Sequence, residues 1–174
     1  LLMTAPSTWG IIIRDGASAA ITDVEVSGRD KQLGSVQYAI LAQSGASVMI
    51  TRADLHDCAD CVQGEHVVLQ DSWLHDLANP PGAHVDGFQC NGTCDGTVIR
   101  HNRIHVEYNQ TGAVSLFQDF GVPHNVLVEN NWLSGAGYTI YGGAGTRGTP
   151  TNIRILDNVV DPGEHGWLAY WDPS

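Results

Sequence analysis

A pair of apolar anchors that recurs six times constrains this chain more than any other feature of its sequence. In each copy an apolar residue is followed by polar or small positions and by a second apolar residue five places on. The copies are Ile21…Val26, Ile50…Leu55, Leu69…Leu74, Ile99…Ile104, Val128…Leu133 and Ile155…Val160. Successive copies start 29, 19, 30, 29 and 27 residues apart. Such a period predicts a solenoid in which each repeat stacks on the next.

The third position after each first anchor adds a second regularity. It is occupied by Val24, Ala53, Ser72, Asn102, Asn131 and Asn158. Three successive asparagines at one register predict an internal amide ladder, in which each side chain bonds the neighbouring coils. No helical apolar period of useful length is present, and turn residues precede the copies. We therefore expect one all-β domain, a β-solenoid spanning residues 1–174.

The balance of charges limits the partners. Eight lysines and arginines stand against nineteen aspartates and glutamates, which gives a net charge of −11. This excludes nucleic acid as an expected partner, because phosphate binding needs a basic surface. No apolar run is long enough to cross a bilayer, so no membrane partner is expected either. Neutral or cationic glycans, and acidic glycans bridged by a divalent ion, remain compatible with the composition.

The four cysteines form two pairs that are close in sequence, Cys58 with Cys61 and Cys90 with Cys94. We expect two local disulfides, and hence an oxidising, extracellular compartment. A four-thiolate zinc site and a redox-active CxxC are the alternatives.

A second register connects the segments between the copies. Aligned by eye, the stacked layers are 59–63 (ADCVQ), 85–89 (VDGFQ), 114–118 (VSLFQ) and 138–142 (YTIYG). If the apolar residues at the fourth position point inward, the glutamines Gln63, Gln89 and Gln118 form an exposed column able to contact a substrate. The opposite phase would expose the aromatic side chains as a platform for sugars. The inward arrangement is the one we expect.

Several motifs carry a resemblance that covers nearly the whole chain. The segments CADCVQ, PPGAHVDGFQCNGTC, VIRHNRI, GAVSLFQDFG, NVLVENNWLSGAGYTIYGG and TNIRILDN resemble a family of secreted bacterial right-handed β-helix proteins, and are similar to phage minor tail proteins. The resemblance implies a pectate-lyase-like, right-handed parallel β-helix of about six coils. It implies no single activity. The terminal caps usual in such helices are not evident here, which is compatible with a fragment or with a homotrimer.

The densest group of chemically capable residues contains Asp60, His84 and Asp86. If their coils stack, the two carboxyl groups lie one strand spacing apart, ~4.8 Å. In such a pair one carboxyl group can have a raised pKa and act as a general acid, while the other has a lowered pKa and acts as a base or nucleophile. Glycoside hydrolysis uses this arrangement. Together with Asp119, the same carboxylates could hold Ca²⁺. The simpler alternative is that they stabilise turns at the starts of strands.

Histidines form a further column, His56, His75 and His105, of which the first two are followed by aspartates. They could carry protons, bind a metal or contact substrate beside the acidic group. The simpler alternative is again a role in turns. We expect His56 and His75 to overhang the sheet that carries Asp60 and Asp86.

Three classes of function follow from these features. The first is a polysaccharide-cleaving enzyme, a hydrolase or a lyase, acting through the Asp/His cluster. The only lysine of the chain, Lys31, is remote from that cluster, which favours a hydrolase or a lyase that uses histidine. The second is a glycan-binding module, with contacts from the glutamines and exposed aromatics such as Trp167 and Trp171. The third is a structural spike or tail element. Convergent carboxylates in an open groove would favour the enzyme, whereas carboxylates bonded to turn backbone would favour binding.

Overall fold

The structure is a computed structural model that describes residues 2–5, 9–28 and 36–171. Lys31 lies outside the described residues. Throughout this part of the chain the regular structure is β, and no helix there could cross a membrane. The strands are β1 (Leu2–Ala5), β2 (Trp9–Ile13), β3 (Ser18–Gly28), β4 (Tyr38–Ala42), β5 (Ser47–His56), β6 (Asp60–Gln63), β7 (His66–Gln70), β8 (Trp73–His75), β9 (Asp86–Cys90), β10 (Val98–Arg100), β11 (Arg103–Val106), β12 (Val114–Leu116), β13 (His124–Glu129), β14 (Trp132–Gly135), β15 (Tyr138–Gly142), β16 (Thr151–Leu156), β17 (Val159–Val160) and β18 (Gly166–Ala169).

The strands stack in parallel into two sheets that together form a β-solenoid of about six coils. Sheet B has the order β18-β15-β12-β9-β6-β4-β2. Sheet A contains the other strands and divides at β5 into two arms. One arm continues through β7, β10, β13 and β16, and the other through β8, β11, β14 and β17. From β6 onward, each coil therefore contributes one strand to sheet B and one to each arm of sheet A.

The apolar anchors of the repeat occupy matching positions in the two arms, as the sequence predicts. The first anchors stack through the first arm, where Ile50 pairs with Leu69 and Leu69 with Ile99. The second anchors stack through the second arm, where Leu74 pairs with Ile104. These five side chains are fully buried and belong to one continuous core. The predicted β-solenoid fold is thus confirmed.

A two-residue corner separates the two arms in the later coils, and the predicted amide ladder runs through it. Asn131 Oδ1 accepts the backbone N–H of Asn102 at 2.9 Å and its Nδ2 at 3.0 Å, and Asn158 Oδ1 does the same for Asn131. Ser72 extends the ladder, because its N–H donates to Asn102 Oδ1. The residue before each ladder position adopts the left-handed conformation: Asp23, Arg52, Asp71, His101, Asn130 and Asp157. This conformation turns the chain, and after glycine it is most often adopted by Asn and Asp.

The two predicted disulfides are present. Cys58 is bonded to Cys61 in the turn that enters β6, and Cys90 to Cys94 at the end of β9. All four cysteines are buried within the apolar core, and none is free. The alternative of a four-thiolate zinc site is therefore wrong.

The register of sheet B agrees with the sequence alignment for two layers and departs from it afterwards. Asp60 pairs with Asp86 and Gln63 with Gln89, as expected. In the next layer, however, Gln89 pairs with Ser115, so that Gln118 lies three residues beyond the expected position. The alignment matched two similar Phe-Gln dipeptides, whereas the core is filled by Val114 and Leu116. A column of three glutamines is therefore not formed.

Candidate functional site

Asp60 and Asp86 begin the adjacent strands β6 and β9 and are direct partners across sheet B. Asp60 Oδ1 accepts the backbone N–H of Asp86 at 3.2 Å. Asp86 Oδ1 accepts the backbone N–H of Gly112 at 3.0 Å and the hydroxyl of Ser115. The aspartates are only 3% and 0% exposed. Each carboxylate thus has one oxygen committed to the backbone of the following coil.

Burial shifts the protonation of both aspartates. It raises the pKa of Asp60 to about 8, and repulsion from the Asp86 carboxylate adds to the increase. Burial also raises the pKa of Asp86 to about 6, although hydrogen bonds from Ser115 and Gly112 oppose that increase. The pair therefore retains at least one proton near neutral pH. Two neighbouring carboxyl groups that share protons can donate as well as accept hydrogen bonds.

The second carboxylate oxygen of Asp86 is buried without a hydrogen-bond partner among the described residues. Near it lies an open cleft of about 520 Å³, of which two lining residues, His84 and Tyr141, interact with the charge of Asp86. Thr111 also lines the cleft, and its hydroxyl donates to the carbonyl oxygen of Val85, the residue before Asp86, at 2.8 Å. The walls come mainly from the loop between β8 and β9 and the loop between β11 and β12. The lining residues are Gly82, Ala83, His84, Asn109, Gln110, Thr111, Tyr141 and His165.

Tyr141 belongs to a group of aromatic side chains at this cleft. Its ring centroid lies 5.3 Å from those of Phe117 and Tyr170, and 5.8 Å from that of Tyr138, which meets it edge-on. His165 packs against Tyr138 with a centroid distance of 5.6 Å. Burial raises the pKa of the Tyr141 hydroxyl, so it stays a hydrogen-bond donor at neutral pH.

A glycine at the start of β12 makes room for this aromatic ring. A Cβ atom on Gly112 would lie 3.0 Å from Tyr141 Cδ2 and 2.5 Å from Ser115 Oγ. The same glycine supplies the N–H that binds Asp86. A side chain at residue 112 would therefore disturb both the aromatic wall of the cleft and the support of the buried carboxylate.

The three glutamines expected to contact substrate have different surroundings. Gln63 Nε2 donates to Gln89 Oε1 at 2.9 Å, and Gln89 is 9% exposed. Gln118 instead binds the loop that follows β15, donating to the carbonyl oxygens of Gly143 and Gly148, both at 2.8 Å. Gln63 also lines a smaller cavity of about 250 Å³ at the other end of the strands. None of the three lines the main cleft.

His56 and His75 lie on the second arm of sheet A, so the expectation that they overhang the acidic pair of sheet B is wrong. His75 contacts Asp54 at 2.7 Å and Asp76 at 2.8 Å. His56 lies 2.8 Å from Asp57, and its ring stacks on that of His75 with centroids 5.2 Å apart. These carboxylates belong to β5 and to the turns directly after β5 and β8, and they hold both imidazole rings at sheet A. Of the histidines predicted for the site, only His84 reaches the cleft.

The residues do not fit a calcium site. Asp119 is exposed in the loop after β12, whereas Asp60 and Asp86 are buried at the starts of their strands. No group of three metal-binding side chains occurs in the described ranges. In addition, the raised pKa values of the buried pair favour protonated carboxyl groups, which are poor ligands for a hard cation.

Sequence reasoning missed five of the residues that line the cleft: Asn109, Gln110, Thr111, Tyr141 as a surface residue, and His165. The available signal was the length of two loops, residues 76–85 and 107–113, which are the longest that enter sheet B after β6. Comparisons with family models, curated proteins and solved structures find no match to this chain. Its function must therefore be argued from its own residues.

Proposed function

We propose that this β-solenoid is an extracellular carbohydrate-binding protein that holds a polysaccharide segment in the cleft above Asp86. The observation that carries the proposal is the composition of this cleft. An aromatic side chain, Tyr141, and two histidines, His84 and His165, share it with the side-chain amides of Asn109 and Gln110. Aromatic faces pack on the C–H faces of sugar rings, and amides and imidazoles bond their hydroxyl groups.

Two buried oxygen atoms without partners support a polar ligand at this place. Among the described residues, Gln110 Oε1 and Asp86 Oδ2 are both buried and unbonded. Gln110 lines the cleft, and Asp86 interacts through its charge with two other lining residues, His84 and Tyr141. Buried polar atoms normally have a hydrogen-bond partner, and leaving one without costs ~1–3 kcal/mol. A ligand hydroxyl, or a water that a ligand orders, can provide such a partner.

The aspartates favour binding over direct catalysis. Their burial and their bonds to backbone N–H groups hold the walls in place, and neither carboxylate is open to a substrate. Cleavage is the second candidate function, because the raised pKa values provide the proton-bearing carboxyl group that hydrolysis requires. For that function the residues that bury Asp86, which is 0% exposed, would have to move aside.

The covalent chemistry of the chain supports an extracellular location. Two disulfides occur in 174 residues, and no cysteine is free. Disulfides persist in oxidising compartments, which supports a secreted protein that meets a cell-surface or extracellular glycan. Assembly as a homotrimer stays a prediction.

Binding is tested with a panel of neutral and acidic polysaccharides by affinity electrophoresis, followed by calorimetry with oligosaccharides of any polymer that binds. We expect Tyr141→Ala and His84→Ala each to weaken binding about tenfold, and Tyr141→Phe to retain it, because the ring face provides the packing. His124→Ala is the matched control, since His124 begins β13 on sheet A and its side chain is 36% exposed. Unchanged affinity in both Tyr141→Ala and His84→Ala would contradict the proposed cleft.

Cleavage is tested on the same panel. Reducing ends and the absorbance of unsaturated uronates are followed with the wild-type protein and with Asp86→Asn. Release of product that disappears in Asp86→Asn would establish the second candidate, and the absorbance would separate a lyase from a hydrolase. Binding without product release would leave the protein as a carbohydrate-binding module.

A further inference from the structure

A second chemically organised surface lies on the second arm of sheet A, away from the cleft. Trp73, Arg103 and Trp132 occupy one register on the successive strands β8, β11 and β14. The two tryptophans are 43% and 46% exposed, although they are the largest side chains of their strands. We call these three residues the Trp-Arg-Trp column.

The arginine links the two indole rings. Arg103 Cζ lies 4.5 Å from the ring centroid of Trp132 and 5.7 Å from that of Trp73, both within the range of cation–π contacts. Because strands repeat every ~4.8 Å, the two indoles are two coils, ~9.6 Å, apart. The surface therefore presents one cationic group between two aromatic rings along the axis of the solenoid.

Neighbouring side chains fix the orientation of both indoles. Trp132 Nε1 donates to Asp161 Oδ2 at 2.8 Å. The ring of Trp73 stacks on that of His75 with centroids 3.6 Å apart and an angle of 21° between their planes. His75 is in turn held between Asp54 and Asp76. A binding surface ordered before its ligand arrives loses less entropy on association.

The N–H donors of the Arg103 guanidinium group are available to a ligand. Within the described residues, it makes no side-chain hydrogen bond and no ion pair. Other arginines of sheet A differ: Arg100 bonds Gln70, and Arg52 forms an ion pair with Asp23 at 2.6 Å. A free, planar guanidinium group offers five N–H donors and binds carboxylates through two parallel hydrogen bonds.

We propose that the Trp-Arg-Trp column binds an acidic saccharide, with the sugar carboxylate on Arg103 and sugar rings on Trp73 and Trp132. An extended polysaccharide that runs along the solenoid axis presents rings to both indoles while its charged group meets the arginine between them. The surface requires no part of the cleft on sheet B. It is therefore independent of the proposed function and can be tested separately.

The test uses hexasaccharides of hyaluronan and of alginate, and the same hexasaccharides with their carboxyl groups reduced to alcohols. Binding to the full chain is measured by calorimetry and by quenching of tryptophan fluorescence, in a buffer with a chelator so that no divalent ion bridges the charges. We expect at least one acidic hexasaccharide to bind. We expect Arg103→Gln to weaken that binding at least about tenfold, since glutamine cannot form the two parallel, charge-assisted hydrogen bonds of a guanidinium group.

Arg100→Gln is the matched control, because Arg100 lies on the same sheet but bonds neighbouring side chains. We expect Arg100→Gln to leave acidic binding unchanged, and Trp132→Ala to weaken it. Thermal melting of each variant identifies loss of affinity that merely follows unfolding. The proposal is overturned if neither acidic hexasaccharide binds, if the reduced forms bind equally well, or if Arg103→Gln binds as tightly as the wild type. Loss in Tyr141→Ala alone would instead place the acidic ligand in the cleft.

Discussion

Replacement of Asp60 by asparagine should stabilise the protein at alkaline pH and have little effect in acid. In the folded chain the pKa of Asp60 is raised to about 8 from the ordinary value of 3.8. Between these two values the folded chain holds a proton that the unfolded chain has released. The free energy of unfolding therefore falls as the pH rises through this window and levels off above about 8. Asparagine does not titrate, and its side-chain oxygen can still accept the N–H of Asp86.

The magnitude follows from the size of the window. The increase from 3.8 to about 8 corresponds to roughly 6 kcal/mol, at ~1.4 kcal/mol for each pH unit. At about pH 9 Asp86 is ionised as well, so its repulsion of Asp60 is included in this value. Because a buried site relaxes around an ionised group and admits water, we expect about half of it, ~3 kcal/mol, as the gain in stability of Asp60→Asn at about pH 9.

The assay is chemical denaturation at a series of pH values from about 4 to about 9, followed by fluorescence. Asp119→Asn is the matched control, because Asp119 is an exposed aspartate in a loop. We expect the stability difference between Asp60→Asn and the wild type to grow with pH, and the control to show no such trend. A difference that is constant across the series, or a variant that is less stable than the wild type at about pH 9, would refute the buried-pair argument.

Two further changes test the corner between the arms of sheet A. Asn131→Ala removes the acceptor for the buried N–H of Asn102 and should lower the free energy of unfolding by about 3 kcal/mol, as measured by urea denaturation; a loss below about 1 kcal/mol would contradict the ladder. His101→Asn places a residue that tolerates the left-handed conformation at φ 58° and should raise the melting temperature, with a gain of about 0.5–1 kcal/mol; a lower melting temperature would contradict this account.

The fold was predictable from the sequence because its signal repeats. Each coil repeats the same spacing between its first and second anchors, as at Ile50, Leu69 and Ile99, so that every copy supports the prediction independently. The ladder was predictable for the same reason, since Asn102 and Asn131 hold one register in successive coils. Where the repeat was weak, as in sheet B, local similarity between two Phe-Gln dipeptides outweighed the pattern of core residues and misplaced Gln118.

The candidate site was only partly predictable. The pairing of Asp60 with Asp86 followed from the alignment of two coils, but their burial did not, because it depends on side chains from the next coils. The cleft itself is formed by loops such as 107–113, and the sequence of these loops does not follow the repeat. The Trp-Arg-Trp column was also missed, although Arg103 and Trp132 stand one place after ladder asparagines in successive repeats. The aromatic and cationic residues at that exposed register were the signal in the sequence.

The corners of the solenoid differ in how much variation they accept. Between the two arms of sheet A the chain always uses two residues in the later coils, at 71–72, 101–102, 130–131 and 157–158. The connections into sheet B instead range from residues 136–137 to residues 76–85. Since the amide ladder fixes the stacking at the short corner, loops at the long corners can be exchanged without shifting the coils. The cleft is thus a natural place for grafting new recognition loops onto an unchanged scaffold.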